Sequence, residues 1–216
     1  MRCTFKRVRC TLKFEKRAFA MGYRRVAGLD EAGRGCLFGP VYAAAVVLDP
    51  DRPIRGLNDS KQVEPEDRER LFGEICERAA AWAVASVDSE EIDRINILQA
   101  SRRAMKLALD ALAPPPDFLL VDFVHVETVI PQESVIHGDA LSRSIAAASI
   151  VAKVERDRAM RRWDSVYPGY GLASHKGYST PAHLKALDEL GPTPHHRFTY
   201  EPVRKAAGLG QMSLFA

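Results

Sequence analysis

Residues 25–48 read RVAGLDEAGRGCLFGPVYAAAVVL: two apolar, β-leaning runs (25–30 and 40–48) separated by the glycine-rich stretch EAGRGCLFG. A strand ending on a carboxylate, a loop and a second strand therefore follow one another, and the loop is where chemistry is expected. Upstream, residues 12–21 (LKFEKRAFAM) place apolar side chains at 12, 14, 18 and 19 among charges, the spacing of a short amphipathic helix that Gly22 ends. Downstream, 65–80 is helical in pattern, with Pro65 in its first turn and acids near its start, and 81–87 (AWAVASV) reads as a strand. Asp88 and Ser89 can cap a long amphipathic helix that runs to 113 and stops at Pro114, Pro115 and Pro116.

Residues 118–122 (FLLVD) predict a short buried strand that again ends on a carboxylate, and the alternation in VHVETVI (124–130) predicts another strand or a hairpin arm. A loop holding His137, Gly138 and Asp139 precedes a helix over 142–164, whose small-residue stretch SIAAASIVA lets it pack close to a neighbour. Thr180 and Pro181 start a further helix (HLKALDEL), which Gly191 and Pro192 terminate. Strands in succession, then strands alternating with helices, imply an α/β fold: a mixed sheet covered by helices, with a mostly helical C-terminal third.

Composition narrows the class. At 216 residues the chain has room for one domain with a modest appendage, and 46% hydrophobic with 27% charged residues suits an ordinary globular core. The net charge of +3 barely hints at nucleic acid, so the distribution of charge must decide. No apolar run approaches the roughly 20 residues that span a bilayer. The cysteines at 3, 10, 36 and 76 lack C-x-x-C spacing, which argues against a zinc ribbon or disulfide scaffold and for cytosolic thiols. A cytoplasmic protein with no membrane association is expected.

Asp30, Glu31, Asp122 and Asp139 lie at the ends of these strands or in the loops just after them. Any one alone reads as a solvated loop acid. Asp30 and Asp122, however, each end an apolar run, where a carboxylate is costly to bury without a partner. If the acids converge, two like charges about 4 Å apart repel by roughly 4 kcal/mol at an effective dielectric near 20, so the cluster needs cations. Oxygen-only ligands favour Mg²⁺ or Mn²⁺ over zinc, and carboxylates holding such ions support two-metal phosphodiester hydrolysis.

The run Gly28-Leu29-Asp30-Glu31-Ala32-Gly33-Arg34-Gly35, followed by Gly39-Pro40-Val41, resembles the opening motif of the ribonuclease HII family of bacteria. Further motifs match in order: Asn58-Asp59-Ser60-Lys61, Val121-Asp122, Gly138-Asp139 with the segment 144–157, His175-Lys176-Gly177-Tyr178 and His196-Arg197. Phe123 stands where many relatives carry glycine, and His137 where lysine is common. The resemblance implies an RNase H-like catalytic core over 25–165 after an N-terminal extension (1–24), then a helical substrate-binding portion (166–207) and a tail (208–216). It also implies a monomeric endonuclease that cleaves RNA in RNA–DNA hybrids and nicks 5′ to a ribonucleotide embedded in duplex DNA. By motif position Asp30, Glu31, Asp122 and Asp139 are the catalytic set, with Asp30, Glu31 and Asp122 among the ligands of a two-metal Mn²⁺ or Mg²⁺ site.

Glycine lets the backbone approach a sugar closely, so Gly33-Arg34-Gly35 suits reading a 2′-hydroxyl, the group that distinguishes RNA from DNA. By the resemblance Tyr178 contacts the 2′-hydroxyl together with this loop. Lys61, Lys153 and Lys176 are candidates to bind backbone phosphates, while the basic segment RDRAMRR (156–162) reads as a solvated helix face. His175, His183, His195 and His196 show no zinc-ligand pattern. The last residues, Gln211-Met212-Ser213-Leu214-Phe215-Ala216, resemble the peptide by which bacterial proteins bind the replication sliding clamp, with Leu214 and Phe215 entering an apolar pocket and Gln211 hydrogen-bonding. A non-catalytic, clamp-tethered hybrid-binding module is the alternative from another class.

Overall fold

The computed structural model describes residues 10–210. Helix α1 (Lys13–Ala20) precedes strands β1 (Val26–Ala32) and β2 (Val41–Val47), then α2 (Pro65–Arg78) and β3 (Ala81–Val87). Helices α3 (Ser89–Ile95) and α4 (Ile97–Asp110) lead to β4 (Phe118–Asp122), β5 (Gln132–Val135), the single turn α5 (Gly138–Leu141) and the long α6 (Arg143–Val166). Helices α7 (Leu172–His175), α8 (Pro181–Leu190) and α9 (Glu201–Ala206) form the C-terminal portion.

The sheet order is β3-β2-β1-β4-β5. The pairs β1–β2 and β2–β3 are antiparallel, whereas β1–β4 and β4–β5 are parallel. The expected mixed sheet flanked by helices is therefore what the chain forms. Side chains alternate across it with the two-residue period of a strand. Ala27, Leu29, Ala43 and Ala45 face α4, packed with Ala104, Met105 and Ala108. Ala44 and Val46 face the other way, onto Leu71 and Ile75 of α2 and the alanines of α6.

Helix α6 crosses β1 with almost no gap, as its small residues allow. A Cβ at Gly28 would lie 2.0 Å from the Ser144 carbonyl carbon, so position 28 has no room for any side chain. Glu15 fixes the start of the same helix: its Oε1 accepts from the Ser142 hydroxyl at 2.7 Å and from the Ser144 amide at 2.8 Å. Helix α1 thus clamps the N-terminal end of α6 while Ser142 caps it. The far end of α6 carries the second lobe, where Leu37 and Phe38 pack with Ala159, Met160, Leu172 and Leu187.

Two sequence expectations are corrected. The single helix expected up to residue 113 is two helices, broken at Asn96, whose φ of 67° lies outside the helical region. The Asn96 side chain compensates by accepting from the amides of Leu98 and Gln99, capping α4. Residues 124–130 form no strand, although Val124 and Val126 are buried as the alternation implied. Phe123, at φ 57°, turns the chain out of the sheet, and β5 takes the edge beside β4 instead. The Gln132 amide then bonds both the N–H and the C=O of Val126, and Ser134 donates to Val124, replacing a ladder with side-chain contacts.

Candidate active site

The parallel register of β1 and β4 pairs Leu29 with Val121. One residue further on, Asp30 and Asp122 stand on adjacent strands, about 4.8 Å apart along the hydrogen-bonding direction. Glu31 follows on β1. Asp139 comes from α5, which is tied to β4 because Asp122 Oδ1 accepts from the Gly138 amide at 2.7 Å. The structure therefore brings Asp30, Glu31, Asp122 and Asp139 to the C-terminal ends of the central strand β1 and its neighbour β4.

The neighbours of these acids manage their charge. Asp30 Oδ1 accepts from the Glu31 amide at 2.7 Å, and Glu31 Oε1 accepts from Arg34 at 3.2 Å. Lys61 extends its largely exposed side chain to 4.0 Å from Asp139. The loop that presents Lys61 is pinned by Ser60, which is hydrogen-bonded at 2.9 Å to Ser149 of α6.

Burial pushes all four carboxyl groups in the same direction, and neighbouring acids add to it at Asp30, Glu31 and Asp139. Asp30 lies well above the ordinary carboxylate range, first because it is buried and then because Glu31, Asp122 and Asp139 repel its charge; the Ser149 hydroxyl opposes this only in part. Glu31 is raised by burial, against the pull of Arg34. Asp122 is raised by burial, and Asp139 by burial followed by Asp59 and Asp122.

Among the described residues no three His, Cys, Asp or Glu side chains already form a closed ligand set. The donor chemistry nevertheless fits a hard cation. Glu31 Oε2 is buried without a hydrogen-bond partner, and the surrounding acids are held in a space that disfavours their ionisation. A divalent ion of this kind would satisfy the unpartnered Glu31 oxygen and, by displacing protons, favour the ionised form of the acids around it.

The residues expected to read the sugar lie beside the acids. Gly33 has φ 97°, and Cys36 and Leu37 bridge to the segment 177–178, with the Leu37 amide donating to Gly177 O at 2.8 Å. The Arg34 side chain turns to Glu31, while its carbonyl accepts from Arg197 and Tyr200. Nothing crowds a Cβ at Gly35, so space alone does not demand glycine there. Tyr178 is partly exposed at 37%, with Lys153 Nζ 5.5 Å from its ring centre.

The three lysines are placed differently. Lys61 is free to reach outward, whereas Lys153 is bonded to Asp157 at 2.7 Å and Lys176 bonds the Ala173 carbonyl. Gln211, Leu214 and Phe215 lie outside the described residues.

Reading 156–162 as a solvated face needs correction. Arg156, Asp157, Ala159 and Met160 are buried, and the exposed arginines are Arg161 and Arg162. Arg156 and Arg197, both fully buried, are the functional candidates that sequence reasoning missed. The available signal was position: Arg156 follows Ala148 and Ala152 at four-residue spacing, on the core stripe of α6. The histidines form a packed group behind Tyr178, with His175 stacked on His183 and His183 Nε2 3.1 Å from His196 Nε2. Burial pushes His183 down to about 4 and His196 down to about 3, keeping both rings neutral.

A sequence model described as Ribonuclease HII matches residues 27–203. Ribonuclease HII of Solibacter usitatus (strain Ellin6076) is 60% identical over 196 residues, which cover 91% of this chain and 86% of that protein. The crystal structure of ribonuclease H2 from Pyrococcus horikoshii OT3 matches with a TM-score of 0.72 at 30% identity, covering 86% of this chain and 98% of that one. The PCNA:RNase HII complex from Archaeoglobus fulgidus contains a chain matching with a TM-score of 0.66 at 27% identity, covering 88% of this chain and 98% of that one.

An acid whose folded pKa is raised contributes stability below its unfolded pKa and loses it as pH rises through the folded value. Asp30 therefore takes stability away from the metal-free protein as pH rises above the ordinary carboxylate range. Asp30→Asn is expected to raise stability in chelator at pH 7 by on the order of 1–3 kcal/mol, and the gap to close as pH falls towards 4. Thermal unfolding of both proteins across that range checks it.

Proposed function

The chain belongs to the ribonuclease HII family, and from that premise we propose that it is a metal-dependent endoribonuclease acting on the RNA strand of RNA–DNA hybrids. On this reading it also nicks 5′ to a ribonucleotide embedded in duplex DNA, leaving 3′-hydroxyl and 5′-phosphate ends. The observation that carries the proposal is the meeting of Asp30 and Asp122 on adjacent parallel strands, with Glu31 and Asp139 beside them and Glu31 Oε2 left without a partner.

Asp30, Glu31 and Asp122, with Asp139 completing the set, would hold a pair of Mg²⁺ or Mn²⁺ ions that supply Lewis acidity towards phosphoryl oxygens. The other groups bind and orient the substrate. The Gly33-Arg34-Gly35 loop lets its backbone approach the 2′-hydroxyl, and the exposed face of Tyr178 packs against the same sugar. Arg34 holds Glu31 in place through their contact. Lys61, exposed and next to Asp139, is the lysine best placed to meet a backbone phosphate. Lys153 supports the Tyr178 ring from below, and Lys176 fixes the turn that presents it.

Clamp binding through Gln211, Leu214 and Phe215 belongs to the same proposal. It is supported by the tail sequence and by the archaeal relative solved with PCNA. The cytoplasm, where such replication and repair substrates lie in a bacterium, is the proposed location.

The activity is tested with a DNA duplex carrying one ribonucleotide, incubated with and without Mg²⁺ or Mn²⁺. Metal-dependent nicking is expected, with a loss of at least about a hundredfold in Asp30→Asn; tight binding with no nicking by the unaltered chain would instead favour the non-catalytic module. Deleting residues 211–216 is expected to abolish association with a bacterial sliding clamp in a pull-down while short-duplex nicking persists, and unchanged clamp affinity would remove that partner.

A further inference from the structure

Arg156 is fully buried, yet no carboxylate pairs with it among the described residues. Its guanidinium instead donates to three backbone carbonyls: Lys176 O at 2.8 Å, Phe38 O at 3.2 Å and Pro40 O at 3.3 Å. Those carbonyls come from two segments far apart in sequence, the loop after β1 and the turn before Tyr178. Each segment has a glycine against the arginine. A Cβ at Gly33 would lie 2.0 Å from Arg156 Nε, and one at Gly177 would lie 3.5 Å from its Nη2. The guanidinium also sits 5.8 Å from the centre of the Tyr178 ring.

A planar group with several fixed donors can hold carbonyls in set directions, which an ammonium on a flexible stem cannot do. Leaving a buried guanidinium donor or a buried carbonyl unpaired is costly, so the two segments are confined to the spacing that satisfies all three bonds.

We propose that Arg156 is a positioning residue for sugar recognition: it fixes the distance between the Gly33 turn and Tyr178, and this distance sets the preference for ribose over deoxyribose. The inference rests on the ribonuclease reading above and adds a residue that touches neither sugar nor acids. It also gives a second reason for glycine at 33, which must leave room for the guanidinium as well as for substrate.

The test compares the KM for a duplex containing one ribonucleotide with the inhibition constant of the matching all-DNA duplex, under the same metal conditions. Arg156→Lys keeps the charge and loses the fork. It is expected to reduce the DNA-to-ribonucleotide ratio by about tenfold or more, through a higher KM for the ribonucleotide duplex more than through kcat. Gly177→Ala, whose Cβ would press on Phe38 O at 3.0 Å and on Arg156 Nη2 at 3.5 Å without facing the sugar, is expected to reduce the ratio similarly and decides the matter if Arg156→Lys does not fold. A folded Arg156→Lys that loses kcat or thermal stability while keeping the full ratio would overturn the proposal and leave Arg156 a purely structural residue. If the unaltered enzyme shows no preference for the ribonucleotide duplex, the ribonuclease reading itself falls; if it shows the preference and the variants keep it, only the positioning role falls.

Discussion

Carboxylates confined to one partly buried site repel one another, and the fold has to hold Asp30, Glu31, Asp122 and Asp139 together against that repulsion. Burial is the largest cause of the raised proton affinity at each of them, and mutual charge adds to it at Asp30, Glu31 and Asp139. The sheet supplies the restoring force. Asp30 and Asp122 cannot move apart without breaking the β1–β4 ladder, and Asp122 is bonded to the amide that begins α5. Lys61 and Arg34 offset only part of the charge, the former from a largely exposed position where its attraction is screened. Such a site is poised for a hard cation because nothing else among the described residues balances it.

Helix α6 carries much of this arrangement along one face. Near its start Gly28 brings it against β1; further on Ser149 reaches Asp30 and Ser60; beyond that Lys153 and Arg156 lie under Tyr178. One rigid element therefore joins the acids to the sugar-reading segments. Arg197 adds a second fastening, donating to Gly39 O and Arg34 O from the C-terminal portion. Both arginines are buried against carbonyls, which places the glycine loop more firmly than its own sequence would. The neutral pair His183 and His196 fills the space behind without bringing charge into it.

The acids were legible because Asp30 and Asp122 end apolar runs, and the strand class of those runs is decided locally. Their meeting was not legible without the family motifs, since strand pairing is a long-range outcome. Nor was the edge position of β5. Residues 124–130 have the right alternation for a strand, but alternation records which side chains are buried and says nothing of whether a neighbouring backbone is free to pair. Asn96 was missed because an asparagine in an amphipathic run carries no hydrophobic signal, although its side chain restarts the helix as a cap. Arg156 was misread for a related reason: composition marks arginine as exposed, whereas three backbone carbonyls make burial tolerable here. Phe123 shows the same limit, since a bulky residue at φ 57° gives no advance notice that the chain leaves the sheet there.

The most direct measurement is anomalous diffraction from crystals of the chain soaked in Mn²⁺ at neutral pH. Manganese is expected at the C-terminal ends of β1 and β4, in contact with carboxylate oxygens of both Asp30 and Asp122 and absent from crystals of Asp30→Asn. Saturating Mn²⁺ that leaves these strand ends empty, or binds only elsewhere, would contradict the convergence of the acids on a shared cation site.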